Sequence, residues 1–217
     1  GTLYLVAGAL AVALPLGIAT AIYLTEYTAD TRLTRGIRAA VDLLNGTPSI
    51  VFGLFGFAFL VLFLNFGVSL IAGQITLGLM VLPTIIRTTE ESLRSIPKSL
   101  REGSYALGAS KWQTVWRVVL PPALPGIITG AILSIGRAAG ETAPIMFTAV
   151  VFSSRYLPSS LFEPVMSLPY HLFILTTSVA GADDQKFGTA LVLLVMVLSI
   201  YLIAILIRRR YNRATVM

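Results

Sequence analysis

The sequence contains no cysteine, so it holds no disulfide, no thiol nucleophile and no thiolate-ligated metal. Its one histidine, His171, has no neighbouring carboxylates and makes no metal centre on its own. Charge is scarce: 12% of the 217 residues are Asp, Glu, Lys or Arg, against roughly a quarter in soluble domains. No G-x-x-x-x-G-K-[ST] occurs, so the chain has no loop of its own to cradle nucleotide phosphates. The nearest string, Tyr105–Trp112 (YALGASKW), lacks a first glycine at the required offset. No H-E-x-x-H occurs, and Asp183 and Asp184 are adjacent instead of forming a spaced carboxylate pair. A soluble enzyme, a disordered tail and a nucleic-acid module are excluded. An intramembrane hydrolase built on Asp183 or His171 has no supporting motif.

What the sequence does have is apolar length. Hydrophobic residues make up 56% of it, and the mean hydropathy is +0.84. Long apolar runs cover Leu3–Leu24, Ser49–Phe66, Ser69–Ile86, Val118–Gly140 and Phe187–Ile207, the first without a single charge. Each is near the ~20 helical residues that cross ~30 Å of hydrocarbon. The strict alternation of a membrane β-barrel is missing. The pattern predicts an all-α integral membrane bundle with five spans. It also predicts one domain over 1–217, a cytoplasmic segment near 90–117 and an external region near 144–186. Pro144, Pro158, Pro164 and Pro169 interrupt that external region, which reads as a loop, a short re-entrant helix or both. Gly1 stands directly at a span with no basic stretch before it, so the run is not a signal peptide, and a further N-terminal span is expected upstream.

The basic residues give orientation. Arg32, Arg35 and Arg38 follow the first run, and Arg87, Arg94, Lys98, Arg101, Lys111 and Arg117 follow the third. Arg208, Arg209, Arg210 and Arg213 close the chain, while Arg155 and Lys186 fall on the opposite side. The positive-inside rule places the three basic segments and the C-terminus in the cytoplasm.

The most informative segment is too polar to span. Leu93, Ile96 and Leu100 recur at helical spacing, followed by Tyr105, Leu107, Trp112, Val115 and Trp116. This reads as short amphipathic helices broken by Pro97, Gly103 and Gly108. Amphipathicity alone leaves two possibilities: docking into a groove on a soluble partner, or lying in the membrane interface with the tryptophans as anchors. The spacing favours the first. Glu102, Gly103 and Ser104 are followed after three residues by Gly108, after nine more by Val118, and then by Leu120-Pro121. This resembles the EAA loop of ATP-binding-cassette (ABC) importer permeases. Gly103 and Ser104 stand for the two alanines, and Val118 stands for the isoleucine.

The resemblance extends through Asn45–Gly56 (NGTPSIVFGLFG), Leu82–Thr114 (LPTIIRTTEESLRSIPKSLREGSYALGASKWQT) and Gly136–Thr148 (GRAAGETAPIMFT). These stretches are similar to ABC-type phosphate import permeases. Of the two related subunits of that system, the A-type is nearer, through RTTEESLRSIP. Permeases for sulfate, molybdate or tungstate share the EAA region but match GRAAGETAP less well. The resemblance implies a type I ABC importer permease (MetI-like) fold in a bacterial or archaeal plasma membrane. The chain itself would bind no cofactor and catalyse nothing, with ATP used by a partner ATPase. The other implied partners are a second related permease, an external phosphate-binding protein and the lipid bilayer, with no nucleic acid. The ATPase contact would be Glu102, Gly103, Ser104, Ala106, Gly108, Leu120 and Pro121, with Leu120-Pro121 opening the next span.

Two charges lie inside the membrane. Arg137 and Glu141 are four residues apart, so on a helix they share one face. An uncompensated Arg at that depth costs ~3 to more than 10 kcal/mol. The pair lines a transport path, or locks two helices together, or Arg137 snorkels to the interface. In the first case the guanidinium would offer bidentate hydrogen bonds to an oxyanion, and Glu141 would keep it from binding too tightly. Arg87 is a second path candidate, with cytoplasmic anchoring as its ordinary role. Gly126 with Gly130, Gly136 with Gly140, and Gly53 with Gly56 mark close-packed faces, within the chain or between subunits. Pro48 and Pro83 start or kink spans. His171 reads as a loop or interfacial residue.

Overall fold

The computed structural model describes residues 1–214, except for the side chains of 207 and 209–214. The basic-tail reading at Arg209, Arg210 and Arg213 therefore lies outside the described side chains. The helices are α1 (Thr2–Tyr27), α2 (Arg32–Asn45), α3 (Ser49–Phe63) and α4 (Leu70–Arg94). They continue with α5 (Lys98–Ala106), α6 (Lys111–Gly140) and α7 (Ala143–Met146). Strands β1 (Val150–Val151) and β2 (Val165–Met166) pair in parallel before α8 (Leu168–Ser178) and α9 (Asp183–Ala214).

Among the described residues, four helices are long and apolar enough to cross a membrane: α1, α4, α6 and the Asp183–Leu206 part of α9. The fifth expected span, Ser49–Phe66, is α3. It ends at Phe63 and counts as a span only together with α2, from which it is bent by 100°. Pro48 causes the break: it has no N–H to continue α2, and it starts α3 as its N-cap.

The regular α-helical stretch starts at Leu120 with Pro121 in its first turn, as expected, but that is not the start of the continuous helix. The helix opens earlier, at Lys111, where Ser110 and Gln113 form a reciprocal capping box. Pro121 and Pro122 are then carried inside α6 by a widened π turn over Val115–Val119, in which the Leu120 N–H reaches back to the Val115 carbonyl. This turn accommodates the missing proline donors.

The core forms where α1 lies along α4. Leu5, Ala9 and Ala13 of α1 pack with Leu77, Met80, Val81 and Ile85 of α4. A second cluster, Leu93, Ile96, Val119, Ala123 and Ile127, joins α4 to α6. The glycine faces resolve into packing within the chain. Gly126 and Gly130 abut Ser92 and Thr88 of α4, Gly136 abuts Tyr201 of α9, and Gly53 and Gly56 seat against Ala143–Pro144 and Thr76. Gly140 faces open space. Lipid tails are as apolar as Leu, so this close backbone approach is what holds the helices together. Gly130→Val, whose side chain meets Thr88, should lose about 1–3 kcal/mol of stability by overpacking. Thermal unfolding in detergent checks this, with Gly140→Ala expected to stay near wild type.

The region near 144–186 folds as a loop with short strands and short helices. The carbonyls of Thr148, Glu163 and Leu161 accept the N–H groups of Ser69, Leu70 and Ile71. The opening turn of α4 is thereby satisfied by loop backbone, from buried Thr148 and exposed Leu161 and Glu163. The Glu163 carboxyl is held below the usual carboxylate range by hydrogen bonds from the Ser159 backbone and hydroxyl. His171, on α8, places Nδ1 2.8 Å from the Phe152 carbonyl oxygen and stacks on that ring.

Candidate translocation and coupling site

The bundle has a loop end, where α7, α8 and the strands gather, and an end where α5 sits, the coupling end, named for the role expected of α5. Arg137 lies in the last turn of α6, at the loop end. Its Nε is 3.7 Å from Glu141 Oε1, and the two side chains are 33% and 20% exposed. The expectation of one shared helical face needs correcting. Gly140 ends the helix, and Glu141 has extended backbone just beyond it. The chain turn, not the helical repeat, brings the carboxylate back to the guanidinium. At 3.7 Å the contact is an ion pair and too long for a hydrogen bond. One turn before Arg137, Ser134 is fully buried and its Oγ has no partner among the described residues.

Arg87 lies two turns from the coupling end of α4, away from Arg137. Its Nε is 3.3 Å from Glu91 Oε1 and 3.8 Å from Asp42 Oδ1, and it remains 42% exposed. The structure does not bring the two arginines together.

At the coupling end, α5 starts after Pro97 and stops at Gly108, whose φ is +80°. Gly103 does not break it: it sits inside the helix, with open space where a Cβ would point. Glu102, Gly103, Ala106 and Gly108 are exposed, while Ser104 is half-buried with its hydroxyl 2.9 Å from that of Thr114. Leu107 is 91% exposed, next to exposed Tyr105, Trp112 and Trp116, so the turn presents a bare apolar tip. Leu120 and Pro121 are half-buried in α6 behind that tip, and Leu120 packs on the second core cluster.

Sequence reasoning missed two buried acids here. Glu90, on α4, accepts from Arg38 Nε at 3.1 Å, and Arg38 Nη2 also donates to the Leu24 carbonyl at 2.7 Å. Glu26, in the last turn of α1, accepts from Arg101 Nη2 at 2.6 Å and Nε at 3.2 Å. An open cavity of about 690 Å³ lies beside them, lined by Glu26, Arg38, Arg94, Lys98, Arg101 and Glu102 among others. Among the described residues no cluster of acidic, His or Cys groups could hold a metal.

The chain as a whole has known counterparts. The family model of the binding-protein-dependent transport system inner membrane component matches residues 13–216. The chain belongs to this family. Among curated relatives of this permease, the phosphate transport system permease protein PstA 1 of Mycobacterium tuberculosis (strain ATCC 25618 / H37Rv) is 42% identical over 210 residues, covering 96% of this chain and 67% of the relative. The probable ABC transporter permease protein YqgI of Bacillus subtilis (strain 168) is 36% identical over 200 residues, covering 86% and 68%. Among solved structures, the inward-facing MetNI methionine ABC transporter aligns with a TM-score of 0.79 at 20% identity, covering 97% of this chain and 94% of that one. The permease therefore has the type I ABC importer fold and is a multi-pass inner-membrane protein. Family membership implies ATPase and binding-protein partners in general.

Proposed function

We propose that this permease conducts inorganic phosphate inward as one subunit of an ATP-driven importer, and that it is not itself an enzyme. The observation that carries the proposal is Arg137, half-buried at the loop end with Glu141 alongside but not hydrogen-bonded to it. A planar guanidinium in that state offers two parallel N–H bonds to a tetrahedral oxyanion. Glu141 competes for the same charge, which keeps the anion releasable. Arg87 would meet the anion nearer the coupling end.

In this scheme an external phosphate-binding protein delivers the anion, and a second related permease completes the path. The chain binds no cofactor. ATP is hydrolysed on separate subunits that grip Glu102, Gly103, Ser104, Ala106, Gly108, Leu120 and Pro121. The basic segments and the C-terminus face the cytoplasm. The names of the phosphate-transport relatives support the choice of cargo.

The test is uptake of radiolabelled phosphate by the complete complex in proteoliposomes, with sulfate as competitor. Hydrogen phosphate carries a proton donor that sulfate lacks. Uptake that depends on ATP and survives a large excess of sulfate is the expected result. Equal transport of sulfate would assign a different oxyanion as cargo.

A further inference from the structure

We propose that Arg101 is a positioning residue that fastens α5 to the coupling ends of α1 and α4, so that the three move as one body. The inference rests on the permease reading and deepens it. The observation behind it is that α5 has no buried residue at all. The helix has no buried apolar anchor, and its hydrogen-bonded links are polar: Ser104 to Thr114 at the opening of α6, and Arg101 to α1 and the end of α4. One guanidinium makes most of the connection. Its Nε and Nη2 engage the Glu26 carboxylate on α1 at 3.2 and 2.6 Å. Its Nη1 donates to the Ile96 carbonyl and its Nη2 to the Leu93 carbonyl, both at 2.8 Å.

Leu93 is in the last turn of α4 and Ile96 just beyond it, where carbonyls run out of i+4 partners. Besides Arg101, the Leu93 carbonyl has a long 3.3 Å contact from the Ile96 N–H. Arg101 thus caps α4, pairs with α1 and belongs to α5. Only a fork of donors can do this; a lysine presents one point charge. Glu26 is buried, its side chain only 6% exposed, and it sits in the π turn over Tyr23–Tyr27. The same turn is gripped from its other side by Arg38, which donates to the Leu24 carbonyl and pairs with Glu90 of α4. A buried ion pair is a poor source of net stability, because desolvation offsets its Coulombic gain. One such pair and one backbone hydrogen bond from a second buried pair, converging on a single irregular turn, are better explained by geometry: they fix where the coupling helix stands relative to the spans.

The test uses the complete complex in proteoliposomes and reads phosphate moved per ATP hydrolysed. Glu26→Gln keeps the size of the side chain and leaves Arg101 free to cap α4, but removes the charged link to α1. The complex should assemble and keep hydrolysing ATP, while phosphate moved per ATP falls at least about tenfold, as expected for losing a charged hydrogen bond. A purely structural role would lower uptake and hydrolysis together, and an unchanged ratio overturns the proposal. A second measurement does not depend on that variant. This chain lacks cysteine, so when it is labelled before the complex is assembled, spin labels at exposed Tyr23 and Ser99 report α1 against α5 with no competing site in the chain. Their separation should hold within about 2 Å between the nucleotide-free and ATP-bound complexes, the scale of an ordinary helix shift. A larger change overturns the one-body inference. A wild-type complex that shows no ATP-driven uptake overturns the permease reading itself, and this inference falls with it.

Discussion

Arg137→Gln is expected to lower phosphate uptake by about 10- to 100-fold, the equivalent of losing hydrogen bonds from a charged donor worth ~1.5–3 kcal/mol. Assembly and thermal stability should change little. Arg137 and Glu141 are a third and a fifth exposed, and their contact is 3.7 Å. Partly exposed ion pairs of this kind contribute roughly 0–1 kcal/mol to folding, so the fold does not depend on the pair. Arg137→Lys should recover only part of the loss, because an ammonium holds charge but not the planar fork. Glu141→Gln should also lower uptake, but through the opposite change in affinity: removing the competing charge lets the anion bind longer, so phosphate affinity rises. Uptake and equilibrium phosphate binding, measured on the same reconstituted complex, separate the two. Normal uptake by Arg137→Gln in an assembled complex removes this residue from the path.

The spans were legible in the sequence because a bilayer offers the backbone no hydrogen bonds, and long uncharged runs such as Leu3–Leu24 are the direct trace of that constraint. Their ends were less legible. Leu120-Pro121 carries a strong start signal, yet the capping box at Ser110 and Gln113 begins α6 nine residues before Leu120, and a π turn absorbs the prolines. Glu141 obeyed the four-residue spacing for a reason unrelated to helical geometry. The fastening at the coupling end was hidden by sequence distance. Arg101 and Glu26 are 75 residues apart, and Arg38 and Glu90 are 52 apart. As isolated letters, Arg38 and Arg101 read as orientation charges. The available signal was on the acidic side: Glu26 ends an apolar run, and an acid placed there among basic residues calls for a partner. The glycine faces were legible as close contacts, but which helix they meet depends on packing that spacing does not encode.

Gly108→Val is expected to release the ATPase subunit, and the argument for this is backbone conformation. At Gly108 the chain adopts φ +80°. The N–H of Ala109 reaches the Ser104 carbonyl at 3.2 Å, and the N–H of Gly108 reaches that of Tyr105 at 2.9 Å. This is the paired closure of a Schellman cap, with glycine in its left-handed position. A side chain at such a φ costs about 1–2 kcal/mol, and a β-branched one more. Space is not the difficulty, since a Cβ there meets nothing within the chain. The strain would be relieved by opening the cap, which displaces Leu107 and turns the exposed face of α5. ATPase co-purification and ATP-driven uptake should then fall together by about 5- to 30-fold, the ratio that one or two kcal/mol represents, while the bundle melts near its usual temperature. Gly36→Ala on α2, also in open space but helical, controls for the loss of a glycine as such and should gain about 0.5–1 kcal/mol. Gly108→Asn makes the decisive comparison. Asparagine tolerates the left-handed region, so it should retain most of the ATPase contact if the turn is what matters. If Asn fails as completely as Val, the requirement at Gly108 is the bare surface a partner presses against, and the backbone argument is wrong.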